Sequence, residues 1–229
     1  MKIVLVHGQN HKGSTYNIGR MIADKIGGEI TEFFLPKDLN HFCHGCYTCI
    51  DDDTKCPYYE EKNKIMKEVE AADVLIFTTP TYCMRASAPM KSFIDLTFNY
   101  WMAHRPRKCM FSKRAIVVST AAGAGTKTAV KDVVTALNNW GVSCVIPYGL
   151  SVQAMNWEGV SDKKKAKIDS DTTKIANKIS NMKKVKTAFK TKFMFGLMRM
   201  MQLKDLGSSK VEKEYWENNG WLGKARPWK

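Results

Sequence analysis

Residues 73–78, DVLIFT, form a short, nearly uninterrupted apolar run, and TPTYCMRASA follows at 79–88, where Pro80 stops any continuing strand. A run of this length without polar alternation reads as a strand covered on both faces. Similar runs stand on either side: KIVLVH at 2–7, EITEFFL at 29–35, RAIVVS at 114–119 and VSCVIPYGL at 142–150. Between them the apolar residues recur at helical spacing. Ile18, Met21, Ile22 and Ile26 precede Gly27 and Gly28, and Ile65, Met66 and Val69 mark a helix over about 59–72. Met90, Phe93 and Ile94 mark one near 88–100; Val130, Val133, Val134 and Leu137 stripe the next up to Gly141; Ile168, Ile175 and Ile179 line the last.

Five strands alternating with five helices predict an α/β protein with a doubly wound parallel sheet and helices on both faces. The flavodoxin-like strand order is one of the two common solutions, and it is the one expected here, followed by a C-terminal helical extension. The boundaries read as one domain over 1–182 and a basic, Met- and aromatic-rich extension over 183–229. The chain has 229 residues, 44% apolar and 25% charged, which excludes fibrous and disordered classes. No apolar stretch approaches the roughly 18 to 20 residues of a membrane span, and MKIVLVHG is too short for a signal peptide. Seven cysteines, an odd number with four crowded at 43–56, do not read as a secreted disulfide framework, so a reducing cytoplasm is expected. Residues 1–150 hold 18 Lys and Arg against 14 Asp and Glu, whereas residues 151–229 hold 18 against 8. The basic excess therefore belongs to the C-terminal third. No nucleic-acid signature accompanies it, and no nucleic-acid partner is expected.

In such sheets ligands bind beyond the C-terminal ends of the strands, at the loops after strands one, three and four. The first loop, GQNHKGST at 8–15, is close to G-x4-G-K-S/T but has Ser14 where the phosphate-bridging lysine belongs. What remains is a glycine-bounded turn with hydroxyls at Ser14, Thr15 and Tyr16, opening onto a helix N-terminus. That suits a single phosphate, and it equally suits an ordinary turn capped by Ser14. The second loop sets aromatic, sulfur and small residues after a buried strand, which suits a flat apolar floor for a tricyclic ring and equally a plain proline-broken loop. The third, STAAGAG at 119–125, allows close backbone approach but alone reads more readily as a plain flexible turn.

GQNHKGST, PTYCMRASAPMKSFID and STAAGAG resemble the corresponding loops of NADPH-dependent FMN reductases and flavodoxin-like NAD(P)H oxidoreductases, over about residues 1–180. The resemblance implies that Gln9, His11, Ser14, Thr15 and Tyr16 hold the FMN phosphate. It implies that Pro80, Thr81, Tyr82, Cys83 and Met84 line the ring, and that Thr120, Ala121, Ala122 and Gly123 close its other edge. Gln9 and His11 depart from the G-S-x-R opening of many relatives. The implied activity is oxidoreduction on FMN with NAD(P)H as cosubstrate and a flavin, quinone or other small electron acceptor. No side chain is needed as a general acid or base, because the flavin carries the chemistry. A homodimer or higher homo-oligomer is also implied, with Trp101 and His104 near the partner's flavin.

Cys43, Cys46, Cys49 and Cys56 form C-x2-C-x2-C-x6-C. Thiolates at this spacing suit an iron–sulfur cluster or zinc, and a reduced metal-free loop is the third reading. The pattern resembles the compact motif of iron–sulfur flavoproteins, which implies a 4Fe-4S cluster and, as an alternative function, a non-enzymatic electron carrier. Asp51, Asp52 and Asp53 add negative charge inside the motif, and His44 is expected to face solvent. Farther on, Lys183, Lys184, Lys186, Lys190 and Lys192 precede FMFGLMRMMQL. A basic helix of this kind suits a membrane surface or a partner, but packing on its own domain or dimer is the preferred expectation. The final EYWENNGWLGKARPW reads as a docked tail.

Overall fold

The apolar runs pair into the sheet that their pattern implies. The computed structural model describes residues 1–207 and 209–229. In chain order the elements are β1 (Lys2–His7), α1 (Ser14–Ile26), β2 (Glu29–Phe34), α2 (Leu35–Asp38), α3 (Thr48–Asp51) and α4 (Tyr59–Ala71). Then come β3 (Val74–Thr78), β4 (Thr81–Tyr82), β5 (Arg85–Ala86), α5 (Ala88–Leu96), β6 (Arg114–Ala121), α6 (Thr126–Asn139) and β7 (Cys144–Ser151). The helices α7 (Asp162–Ser180), α8 (Phe189–Leu203) and α9 (Lys210–Asn218) close the chain. The main sheet runs β2-β1-β3-β6-β7, all parallel, which is the flavodoxin-like order.

Alternate residues of the central strands feed two separate cores. Val4, Val6, Leu75, Phe77, Ala115 and Val117 face α4, α5 and α6. Ile3, Leu5, Val74, Ile76, Ile116 and Val118 face α1 and α7. Covering both faces is what allows these strands to be apolar at every position.

The elements differ from the sequence expectation where local chemistry intervenes. The helix near 88–100 ends at Leu96; Thr97 turns its hydroxyl back to the Phe93 carbonyl at 2.8 Å, and a 3-10 turn takes over at Phe98–Tyr100. The strand after Gly28 stops at Phe34, where Leu35 and Pro36 open the short α2. The segment after β3 is no simple loop but the hairpin β4–β5. A third apolar cluster, Met102, Phe111, Phe195, Trp216 and Trp221, docks the C-terminal tail on the edge where the strands begin.

Candidate functional site

The three loops meet at the opposite edge, where the strands end. The first leaves β1 at Gly8, whose amide donates to the Thr78 carbonyl at 2.7 Å and whose carbonyl accepts from the Ser87 hydroxyl at 2.8 Å. A methyl group on Gly8 would lie 2.5 Å from Ser87 Oγ and 3.2 Å from the Thr78 carbonyl oxygen, so the approach requires glycine. Gly13 is the residue that caps α1, in extended conformation and with no side-chain hydrogen bond. Ser14 is therefore not the cap; it is the first helical residue, buried with Thr15. The amide groups of that first turn and the hydroxyls of Ser14 and Thr15 form a positive helix end without a side-chain cap, a physical match for a phosphate.

Gln9, His11, Gly13, Thr15, Tyr16 and Pro80 line a narrow cleft beside this turn together with His7 and Thr78. The loops are tied to one another by hydroxyl groups. Thr15 Oγ1 lies 2.5 Å from Thr120 Oγ1, Thr81 Oγ1 lies 2.9 Å from Ser119 Oγ, and Thr79 Oγ1 donates to Ser87 Oγ at 3.2 Å. Serine and threonine serve here because a short hydroxyl can both donate and accept, which holds three backbones at one spacing.

The hairpin carries the sulfur and aromatic residues outward. Tyr82, Cys83 and Met84 are exposed, and Cys83 and Met84 both have left-handed backbones, φ 48° and 65°. Two non-glycine residues in that region cost roughly 1 to 3 kcal/mol each and persist only where neighbours hold them. The hold comes from α6: Asp132 takes two hydrogen bonds from Arg85, at 2.9 and 2.6 Å, and one from the Ala86 amide at 3.2 Å, while Thr128 donates to the Met84 carbonyl. Gly125, at φ 94°, lets the third loop pass within contact of Thr81 and Met84. Thr120 is buried at the base of that loop, and Ala122 and Gly123 are exposed beyond Ala121. Fourteen expected contact residues thus fall on one edge of the sheet, in the turn that opens α1, a braced hairpin tip and a small-residue loop. His7, Thr78, Ser87 and Ser119 belong to the same constellation and were not singled out as site residues by sequence. The only sequence signal they carried was their place at the ends of strands or beside Pro80 and Pro89.

The cysteine segment forms a second candidate site. It contains α3 and a 3-10 turn at Asp53–Lys55 where the sequence suggested only a loop. Cys43, Cys46, Cys49 and Cys56 line one apolar cavity with Tyr47, Tyr58, Leu96 and Phe98. Among the described residues no three His, Cys, Asp or Glu side chains close to a single-ion sphere. The Cys49 thiol is pushed up to about 11 by burial, and a hydrogen bond from Thr48 draws the exposed Cys46 thiol down. Two cations back the segment. Lys62, fully buried, pairs with Asp53, and Arg105 donates to the Cys49 carbonyl while its Nε and the Asn99 amide have no partner among the described residues. His44 is exposed, and its Nε2 lies 2.9 Å from the Tyr58 hydroxyl.

Trp101 packs against the first core, and His104 is bonded within the chain. His104 Nδ1 lies 2.6 Å from the buried Glu212 carboxylate, and the His104 carbonyl accepts from Trp216 Nε1 at 2.7 Å. A carboxylate 1% exposed requires such a partner, which explains why the loop turns toward the tail. His7 is likewise committed within the chain, to Thr78 and Glu32.

Known proteins point the same way. An iron-sulfur flavoprotein of Archaeoglobus fulgidus is 27% identical over 130 residues, 56% of this chain and 56% of that protein. The chain thus aligns with little more than half the length of that relative. An iron-sulfur flavoprotein of Methanocaldococcus jannaschii is 28% identical over 143 residues, 58% of this chain and 69% of its own length. A solved FMN-dependent NADH-azoreductase from Bacillus anthracis, in complex with FMN, superposes with a TM-score of 0.58 at 9% identity, over 79% of this chain and 100% of that one. That likeness shows the fold. Residues 1–156 match the family described as NADPH-dependent FMN reductase, and the chain belongs to that family.

Proposed function

We propose that this chain is an FMN-dependent NAD(P)H oxidoreductase that passes electrons to a small acceptor such as a flavin, a quinone or a nitro compound. The observation that carries the reading is the helix end at Gly13–Thr15, free of a side-chain cap and joined through Thr15 and Thr120 to the loop after β6. Bound FMN would supply the hydride and electron chemistry. The chain's own part is placement. Gln9, His11, Ser14, Thr15 and Tyr16 would hold the phosphate. Pro80, Thr81, Tyr82, Cys83 and Met84 would bound one side of the ring, and the backbone of Thr120, Ala121, Ala122 and Gly123 the other. Replacing Ser14 and Thr15 together by Ala should weaken FMN binding by roughly 1 to 3 kcal/mol, the scale of hydrogen bonds to a charged group. Fluorescence titration with FMN checks this; unchanged affinity would reject the phosphate assignment, and FAD binding without FMN binding would reject the cofactor.

A second reading is an iron–sulfur flavoprotein acting as an electron carrier. It is favoured by the four thiols on one cavity backed by Lys62 and Arg105. Cys43, Cys46, Cys49 and Cys56 would then be the ligands of a 4Fe-4S cluster. Anaerobically purified, iron-replete protein should carry up to about four irons and sulfides per chain. Cys46→Ser should remove them and leave FMN bound. Iron-free protein with full NAD(P)H turnover returns the motif to a structural role. The odd cysteine count with four crowded at 43–56 favours a reducing cytoplasm, and a homo-oligomer would complete the flavin's open side.

A further inference from the structure

Helix α8 is apolar on two opposite faces. Inward, Phe195 is buried against Phe111, Trp216 and Trp221. Outward, Phe189, Phe193, Leu197, Met200 and Leu203 are 83%, 63%, 38%, 42% and 45% exposed. At about 100° per residue these five, with Gly196 among them, fall in one stripe roughly 120° wide. Lys190 and Lys192 stand just outside its two edges. Lys183, Lys184 and Lys186 lead into the helix and Lys204 follows it; all six lysines are exposed, and no Asp or Glu occurs between 183 and 204.

An exposed apolar stripe needs an occupant, and its charges decide which. Two copies of this chain meeting through the stripe would bring the same lysines together with no acidic partner on the helix. An anionic surface would neutralise them instead. We propose that α8 docks the protein on an anionic lipid surface, lying in its plane with the stripe among the acyl chains and the lysines at the headgroup phosphates. No helix among the described residues is long and apolar enough to cross a membrane. The position of α8 supports this orientation. Thr191 accepts from Ser143, which precedes β7, at 2.9 Å, and Phe195 packs on Phe111, which precedes β6. The helix therefore lies at the edge where the strands begin, and docking leaves the loops at the other edge facing water.

Co-sedimentation of the full-length chain with vesicles tests the assignment. Vesicles of phosphatidylcholine with phosphatidylglycerol should pellet the protein, and added salt should weaken that binding; phosphatidylcholine alone should bind about tenfold less or weaker still. The double variant Phe189→Glu, Phe193→Glu changes only exposed positions. It should keep its circular dichroism and tryptophan emission while losing at least about tenfold in vesicle partitioning. Lys190→Glu with Lys192→Glu should lose anionic binding in the same way. Absence of binding to the anionic vesicles overturns the proposal, as does equal binding by the phenylalanine variant. A wild-type dimer that the phenylalanine variant converts to monomer, with no vesicle binding by either, would make the stripe a subunit contact and overturn it too.

Discussion

His7 ends β1 with its ring inside the molecule, 1% exposed and stacked on Phe34 at 4.7 Å. Its Nδ1 lies 2.9 Å from Thr78 Oγ1 and its Nε2 3.0 Å from Glu32. Burial lowers its pKa below the ordinary 6.5, and the Glu32 hydrogen bond and charge only partly oppose that. The folded ring therefore resists a proton that the unfolded chain accepts near pH 6.5. Stability from this group is fully present above about pH 6.5 and falls as the pH drops below it, because there the unfolded state binds more protons. Urea unfolding should show a lower midpoint at about pH 5.5 than at about pH 7.5. His7→Gln, which keeps one donor and one acceptor, should shrink that difference. An identical pH dependence in the variant would show that His7 carries none of it. His7 also lines the cleft beside Gly13 and Thr15.

At the scale of elements, the sequence was most legible where burial on both sides forces every residue to be apolar. DVLIFT and KIVLVH could be little else, and the paired cores on alternate residues confirm why. The site was legible as three strand-end loops but not as a constellation. Nothing in TPTYCMRASA announces a hairpin, because the usual Asn-Gly or Asp-Gly turn signal is absent and Cys83 and Met84 adopt left-handed backbones instead. Tertiary contacts from Asp132 and Thr128, more than 40 residues away, supply what local preference does not. The same holds for the first helix: Ser14 has the chemistry of a cap, yet Gly13 occupies the position and leaves the hydroxyl inside the turn. The His104–Glu212 pairing was illegible for a related reason, since the two residues lie 108 positions apart along the chain. Pairings at such separation leave no trace in periodicity.

At the scale of the whole molecule, the sheet and the tail are held by different clusters. Trp216 and Trp221 are buried in the third cluster, which touches the body through Met102 and Phe111 at the edge of the sheet. Ser209 and Glu212 form a reciprocal capping box on α9, and Glu212 reaches on to His104, so the tail's entry is fixed by polar contacts as well. Residues 183–188 before α8 have no regular hydrogen-bonded structure, which is where we propose that the chain divides into a domain over 1–182 and an extension. If so, Trp216→Ala should cost about 3 to 5 kcal/mol of the tail's local stability, the range for emptying a large aromatic site. The loss should be local. Amide exchange in α8 and α9 should speed up markedly while β1, β3 and β6 keep their protection, because neither sheet-face core contains a residue of the tail. FMN titration should be unaffected, since the loops at the strands' far ends make no contact with this cluster. Exchange that accelerates uniformly through the sheet would instead make the tail part of one cooperative unit with the domain, and the division at 182 would have no physical basis.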